Sequence, residues 1–153
     1  MKAVVIYESM YGNTHQIANA IAEGPTHVHG MSHAGTRKGA ADAAEKPDSY
    51  LVLDANADGP GLRDWFESVG HLLTNAAAFD TRFDMPAAIT GRASKGIARK
   101  LRHRGATLIA EPESFFVKKD NHLEPDEEAR AREWGGQLAL VLQESTPHEA
   151  RSS

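Results

Sequence analysis

The stretch "ESMYGNT" (Glu8 to Thr14) gathers groups that could hold an anion. Ser9 and Thr14 bring hydroxyls, Asn13 an amide, and Gly12 lets backbone N–H groups come close to a ligand. Neutral donors of this kind at a helix N-terminus make a phosphate cradle. The first N–H groups of a helix lack internal partners and form the positive end of its dipole. A Walker A loop would need Lys followed by Ser or Thr, and a dinucleotide fingerprint would need three spaced glycines. The loop has neither, and Glu8 stands alone where a phospho-acceptor site would want an acidic cluster. The plainer reading of the same residues is a turn that caps a helix and binds nothing.

Other groups carry weaker signals. "HVHGMSH" places His27, His29 and His33 at spacings that could meet Zn²⁺ or Ni²⁺. No acidic partner stands nearby and the chain has no cysteine, so no metal site is expected. Arg99, Lys100, Arg102, His103 and Arg104 form a basic run without interleaved aromatics, in a chain of net charge −4. A solvated helix face fits that better than nucleic-acid binding. No G-x-S-x-G elbow exists, so no hydrolase triad is supported. Glu111 and Glu113 alternate along a strand and read as sheet-end solvation. No catalytic residue is assigned.

These residues need elements to position them. "KAVVIY" is a short β-branched run of the kind buried on both faces of a parallel sheet. In "THQIANAIAEG", Ile17, Ala18, Ile21 and Ala22 fall on one helical face, with Asn13 or Thr14 able to cap its start and Gly24-Pro25 to stop it. No strand is read between Pro25 and Ser49, and "YLVL" (50–53) is strand-like but short. "GLRDWFESVGHLL" predicts a helix with Leu62, Trp65, Phe66, Val69 and Leu72 inward. "NAAAFDT" predicts a second buried strand. "SKGIARKLRHRG" predicts a basic helix with Ile97, Ala98 and Leu101 inward. "ATLIAEPESFFV" predicts a third strand interrupted at Pro112. A closing helix carries acids in its first turn and an apolar face of Trp134, Leu138, Val141 and Leu142.

Alternating strands and helices mean an α/β domain with a mostly parallel sheet. Only three strands are clear, where such a sheet has about five. The 153 residues suit one domain, assigned to 1–142, with 143–153 as a disordered tail. The N-terminal apolar run is too short for a signal peptide, and no run approaches the ~20 residues of a membrane span. A cytoplasmic protein with no membrane or nucleic-acid partner is expected.

"MKAVVIYESMYGNTHQIANAIAEG" resembles the first strand, phosphate loop and first helix of flavodoxin-like FMN-binding proteins. "PTHVHGMS" is similar to the second flavin loop of that superfamily, and "FDTRFDMPAAITGRASKGIARKL" to the third flavin loop and following helix of actinobacterial-type flavodoxin-domain proteins. The resemblance implies a flavodoxin-like three-layer α/β domain with an incomplete strand set. In the family a second strand, a second helix and a third strand precede the loop matching Pro25 to Ser32. Here Gly24 joins Pro25 directly, so a strand–helix–strand unit of ~30 to 40 residues would be absent.

By the same resemblance, Ser9, Met10, Tyr11, Gly12, Asn13 and Thr14 would wrap the FMN phosphate. Pro25, Thr26, His27, Val28, His29 and Gly30 would flank the isoalloxazine on one side, and Asp80, Thr81, Arg82 and Phe83 on the other. Many short-chain flavodoxins sandwich the ring between Trp and Tyr; His27, His29 and Phe83 stand in these loops instead. The implied function is electron transfer, or reduction of a quinone-like acceptor, with a redox partner protein or that small acceptor as partner. A homo-oligomer is left open. The alternative is a non-redox remnant or interaction module that lost flavin binding with the missing unit.

Overall fold

The computed structural model describes residues 3–7, 11–23, 28–32 and 61–145. In chain order these form β1 (Ala3–Tyr7), α1 (Asn13–Ala22), β2 (Val28–Ser32), α2 (Leu62–Ser68), β3 (Asn75–Ala76) and β4 (Phe79–Phe83). The single turn α3 (Ala87–Thr90), then α4 (Ala93–His103), β5 (Thr107–Leu108), β6 (Glu113–Val117) and α5 (Glu127–Glu144) complete them. Residues 146–153, most of the expected tail, and the strand-like 50–53 lie outside the described residues.

The described strands pair in parallel, β1 with β2, β3 with β5, and β4 with β6, and a single antiparallel bridge joins Val117 to Leu123. The strand at Val28–Ser32 corrects the expectation that none lies between Pro25 and Ser49. Its His29 and Gly30 weaken the local β signal, but pairing in register from Ala3–Val28 to Tyr7–Ser32 satisfies the backbone. After α1 the next described strand, β2, therefore pairs with β1.

The two longer expected strands each break in the middle. Ile109 N–H donates to Ala76 O and Glu113 N–H to Ala78 O, so four residue steps on one strand oppose two on the other. Pro112 lies in that bulge, where its missing N–H costs no ladder bond, and its carbonyl accepts from Arg92 Nη2 at 3.0 Å.

Two cores lie on opposite faces of these strands. Ile17, Ala20 and Ile21 of α1, Phe115 of β6 and Ala131 of α5 form one, with Phe79, Leu123 and Trp134 against it. Phe66, Ala78, Ala98, Leu101 and Ala106 form the other, with Leu62, Trp65, Val69, Leu72 and Ile97 around it. Helices α1 and α5 thus cover one face and α2 and α4 the other. The residues expected inward on α2 and α4 pack on the second core, but α2 ends at Ser68, so Val69 and Leu72 reach it from beyond the helix. The face expected of α5 matches only in part: Trp134 packs on the first core as expected, but the buried residues are Glu127, Ala131, Gly135 and Ala139, while Val141 is 36% exposed.

Small residues on α5 let it approach α1 closely. A Cβ on Gly135 would overlap the Ile21 carbonyl and stand 3.0 Å from Ile21 Cα, and backbone cannot step aside as a side chain can. Gly135→Ala is expected to destabilise by about 1 to 3 kcal/mol through overpacking, despite alanine's better helix propensity. The denaturation midpoint checks this, and an unchanged or raised value would contradict it.

Arg130 ties α5 to β6. It donates to Glu127 through Nε and Nη2, to Glu113 at 3.0 Å and to Ser114 O at 2.6 Å, and its guanidinium lies 4.4 Å from the Phe115 ring centroid. Hydrogen bonds to Glu127 first, then Glu113, raise its pKa above the ordinary value against the opposing effect of burial. Glu127, only 8% exposed, also accepts from Phe116 N–H. Removing one partner of a buried pair costs about 3 to 5 kcal/mol. The Arg130 side chain is 35% exposed, so water can replace part of it. Arg130→Ala is expected to cost about 2 kcal/mol, read as a lowered denaturant midpoint; Arg130→Lys should recover only part, because it lacks the bidentate fork.

Candidate functional site

The N-terminus of α1 comes to the carboxyl ends of the strands, where parallel sheets place their ligands. Gly12, not Asn13 or Thr14, is the N-cap, with φ 90 and ψ −23, and no side chain caps the helix. The left-handed region suits glycine. Its carbonyl accepts the first helical bond from Gln16 N–H.

The two residues expected to cap are used elsewhere. Thr14 Oγ1 and Thr81 Oγ1 are 2.7 Å apart, joining the helix start to β4. Asn13 Nδ2 donates to Asn121 O at 3.1 Å and to Asn121 Oδ1 at 2.8 Å. Asn121, at φ 66, sits in the tight turn after β6, which is closed by Lys118 N–H to His122 O and Glu124 N–H to Phe116 O. Asp120 accepts from His122 N–H in that turn. Desolvation pushes its pKa up, but that bond and the His122 and Lys118 charges hold it below the ordinary value.

Alternation along β4 divides the third expected segment between two faces. Phe79 belongs to the α1–α5 core, so Thr81 and Phe83 share its face. Phe83 is 45% exposed at the strand end. Asp80 and Arg82 take the other face: Asp80 Oδ2 accepts from Ser94 N–H at 2.6 Å at the start of α4. Arg82 Nη1 donates to Met85 O at 2.7 Å, and its guanidinium lies 4.9 Å from the Phe116 ring centroid.

Gly12, Asn13, Thr14, Thr81 and Phe83 therefore gather at one edge, with Tyr11 half-buried just before the cap. Asp80 and Arg82 belong to the α4 side. Val28, His29 and Gly30, expected in a loop, lie in β2. Ser9, Met10, Pro25, Thr26, His27 and His33 lie outside the described residues. Sequence reasoning missed Asn121, although "KKDNH" between a strand and a Pro-bearing segment is turn chemistry. It also missed Asp80 as the partner of α4, a contact across fourteen residues that leaves no local trace.

Among the described residues no group of His, Asp and Glu could hold a metal ion, and no helix is long and apolar enough to cross a membrane. No protein-family profile and no curated protein sequence matches the chain. Solved structures do. The oxidised Flavodoxin 1 of Bacillus cereus aligns with 95% of this chain and 100% of its own, at 19% identity and a TM-score of 0.56. A flavodoxin from the domain Archaea aligns with 94% and 99%, at 17% identity and the same TM-score. The fold is flavodoxin-like. Among the described residues, nothing lies within 4 Å of where a Cβ on Gly12 would stand.

Proposed function

We propose that the chain binds FMN and serves as an electron carrier or as a reductase of a quinone-like acceptor. The observation that carries this is the edge where Gly12 opens α1 without a side-chain cap, beside Thr81 and the exposed Phe83. Backbone donors of the first turn and the helix dipole would hold the phosphate, with Ser9, Met10, Tyr11, Asn13 and Thr14 around it. Phe83 would stack on the isoalloxazine, while Asp80 and Arg82 would hold β4 in place from behind. Bound FMN would supply the redox chemistry, and the protein would set its potential through stacking, hydrogen bonds and nearby charge.

The test incubates the purified chain with FMN, removes free ligand, photoreduces the product and adds a small naphthoquinone. A yellow protein whose reduced flavin is reoxidised by the quinone supports the proposal. A colourless one, with thermal midpoint unchanged by FMN, opposes it.

One observation favours the second reading, a remnant that has lost flavin binding. β2 follows α1 after only Glu23 and residues 24–27, and takes Val28, His29 and Gly30 into the sheet. On that reading the missing strand–helix–strand unit removes one wall of the flavin site. Restoring such a unit at the Gly24–Pro25 junction would then create FMN binding where the short chain has none.

A further inference from the structure

A second cluster of buried polar groups lies on the α4 side of β4, away from Gly12 and Thr81. Asp80 is 6% exposed, Ser94 fully buried and Ser114 3% exposed. Asp80 uses Oδ2 to accept the Ser94 amide, the second residue of the eleven-residue α4. Its other oxygen, Oδ1, has no hydrogen-bond partner among the described residues. The Ser94 and Ser114 hydroxyls also have none, and neither does Arg92 Nε.

These atoms are neighbours. Asp80 and Ser114 are register partners in the β4–β6 pair, so their side chains stand side by side on one face. Ser94 touches Asp80 directly, and Arg92 reaches Pro112, two residues before Ser114. Hydroxyls rotate freely, so either would bond Oδ1 if it could reach. Neither hydroxyl stands in hydrogen-bond geometry with Oδ1.

We propose that one buried water molecule sits at the start of α4, bridging Asp80 Oδ1 to the Ser94 and Ser114 hydroxyls. Two hydrogen bonds of about 2.8 Å each let a water span atoms roughly 5 Å apart, and buried waters typically make about three such bonds. The donor set favours water over a cation. Water can donate to Asp80 Oδ1 and to one hydroxyl while accepting from the other, whereas a cation held by the three oxygens would leave both hydroxyl protons without an acceptor. The bridge completes the link between the β4–β6 pair and the N-terminus of α4, which the Asp80–Ser94 bond begins.

Two measurements on the full chain test this. The first is a crystal structure with rubidium as the only monovalent cation. A solvent peak within hydrogen-bond distance of Asp80 Oδ1 and both hydroxyls, without rubidium anomalous signal, is expected. An anomalous peak there, or direct pairing of the three groups around an empty point, overturns the proposal. The second is magnetisation transfer from water to the Ser94 amide in isotope-labelled protein. A cross-peak from long-lived water is expected in the unaltered chain and is lost in Ser114→Val, which fills the space with an apolar group. No cross-peak in the unaltered chain, or one unchanged in Ser114→Val, overturns it. If Ser114→Val does not fold, the crystal measurement on the unaltered chain decides.

Discussion

Replacing Phe115 by alanine is expected to cost about 3 to 5 kcal/mol, a large share of the stability of a domain this size. The side chain is fully buried at the centre of the α1–α5 core. Its ring lies edge-to-face with Phe79 at 6.2 Å and Trp134 at 6.1 Å, and the Arg130 guanidinium rests 4.4 Å away. Alanine would leave a cavity that fixed neighbours cannot fill, and the loss grows with the volume left open. Phe115→Leu should cost less, because it keeps most of the volume but not the ring contacts. Urea denaturation with an unchanged slope and a much lower midpoint is the expected result. A Phe115→Ala midpoint within about 1 kcal/mol of the parent would mean that this core is not packed as described.

The second large effect concerns Thr14. Its hydroxyl already bonds Thr81, yet it also stands in the first turn of a helix with no side-chain cap. A hydroxyl donating to a phosphate is worth about 1.5 to 3 kcal/mol. Thr14→Val is therefore expected to weaken FMN roughly ten- to a hundred-fold, at ~1.4 kcal/mol per tenfold. Riboflavin lacks the phosphate and should barely respond. Thr81→Val separates two roles, since it breaks the hydroxyl pair but leaves the Thr14 oxygen for the ligand. Equal losses in both variants would make the pair a positioning contact. Equal losses for both flavins would show that Thr14 does not read the phosphate.

Several elements were legible because local chemistry and tertiary demand agree. The helix Asn13–Ala22, the amphipathic Leu62–Ser68 and the basic Ala93–His103 turn towards the cores the residues their periodicity selects, apart from Ala20 in place of Ala22 in the first and from Val69 and Leu72, which lie beyond the end of the second. Pro112 marked the strand break for the reason proline always does. The failures share a physical cause. Val28–Ser32 is a strand because β1 is beside it, and a run with His29 and Gly30 has little propensity to announce that. The buried stripe of α5 is Ala131, Gly135 and Ala139, residues too small to register as an apolar face until a second helix packs on them. At the site, the Gly12–Thr14 motif was visible as a type. The Asn13–Asn121 and Thr14–Thr81 bonds span 108 and 67 residues and exist only in the fold.

A titration of the unaltered chain with FMN and with riboflavin, followed by flavin fluorescence, bears most directly on the flavin proposal. Saturable FMN binding that is at least tenfold tighter than riboflavin binding is the expected result, since the phosphate should add one or more charge-assisted bonds at the α1 start. Equal binding of the two would place the flavin away from Gly12 and Thr14, and no binding of either would contradict a flavoprotein outright.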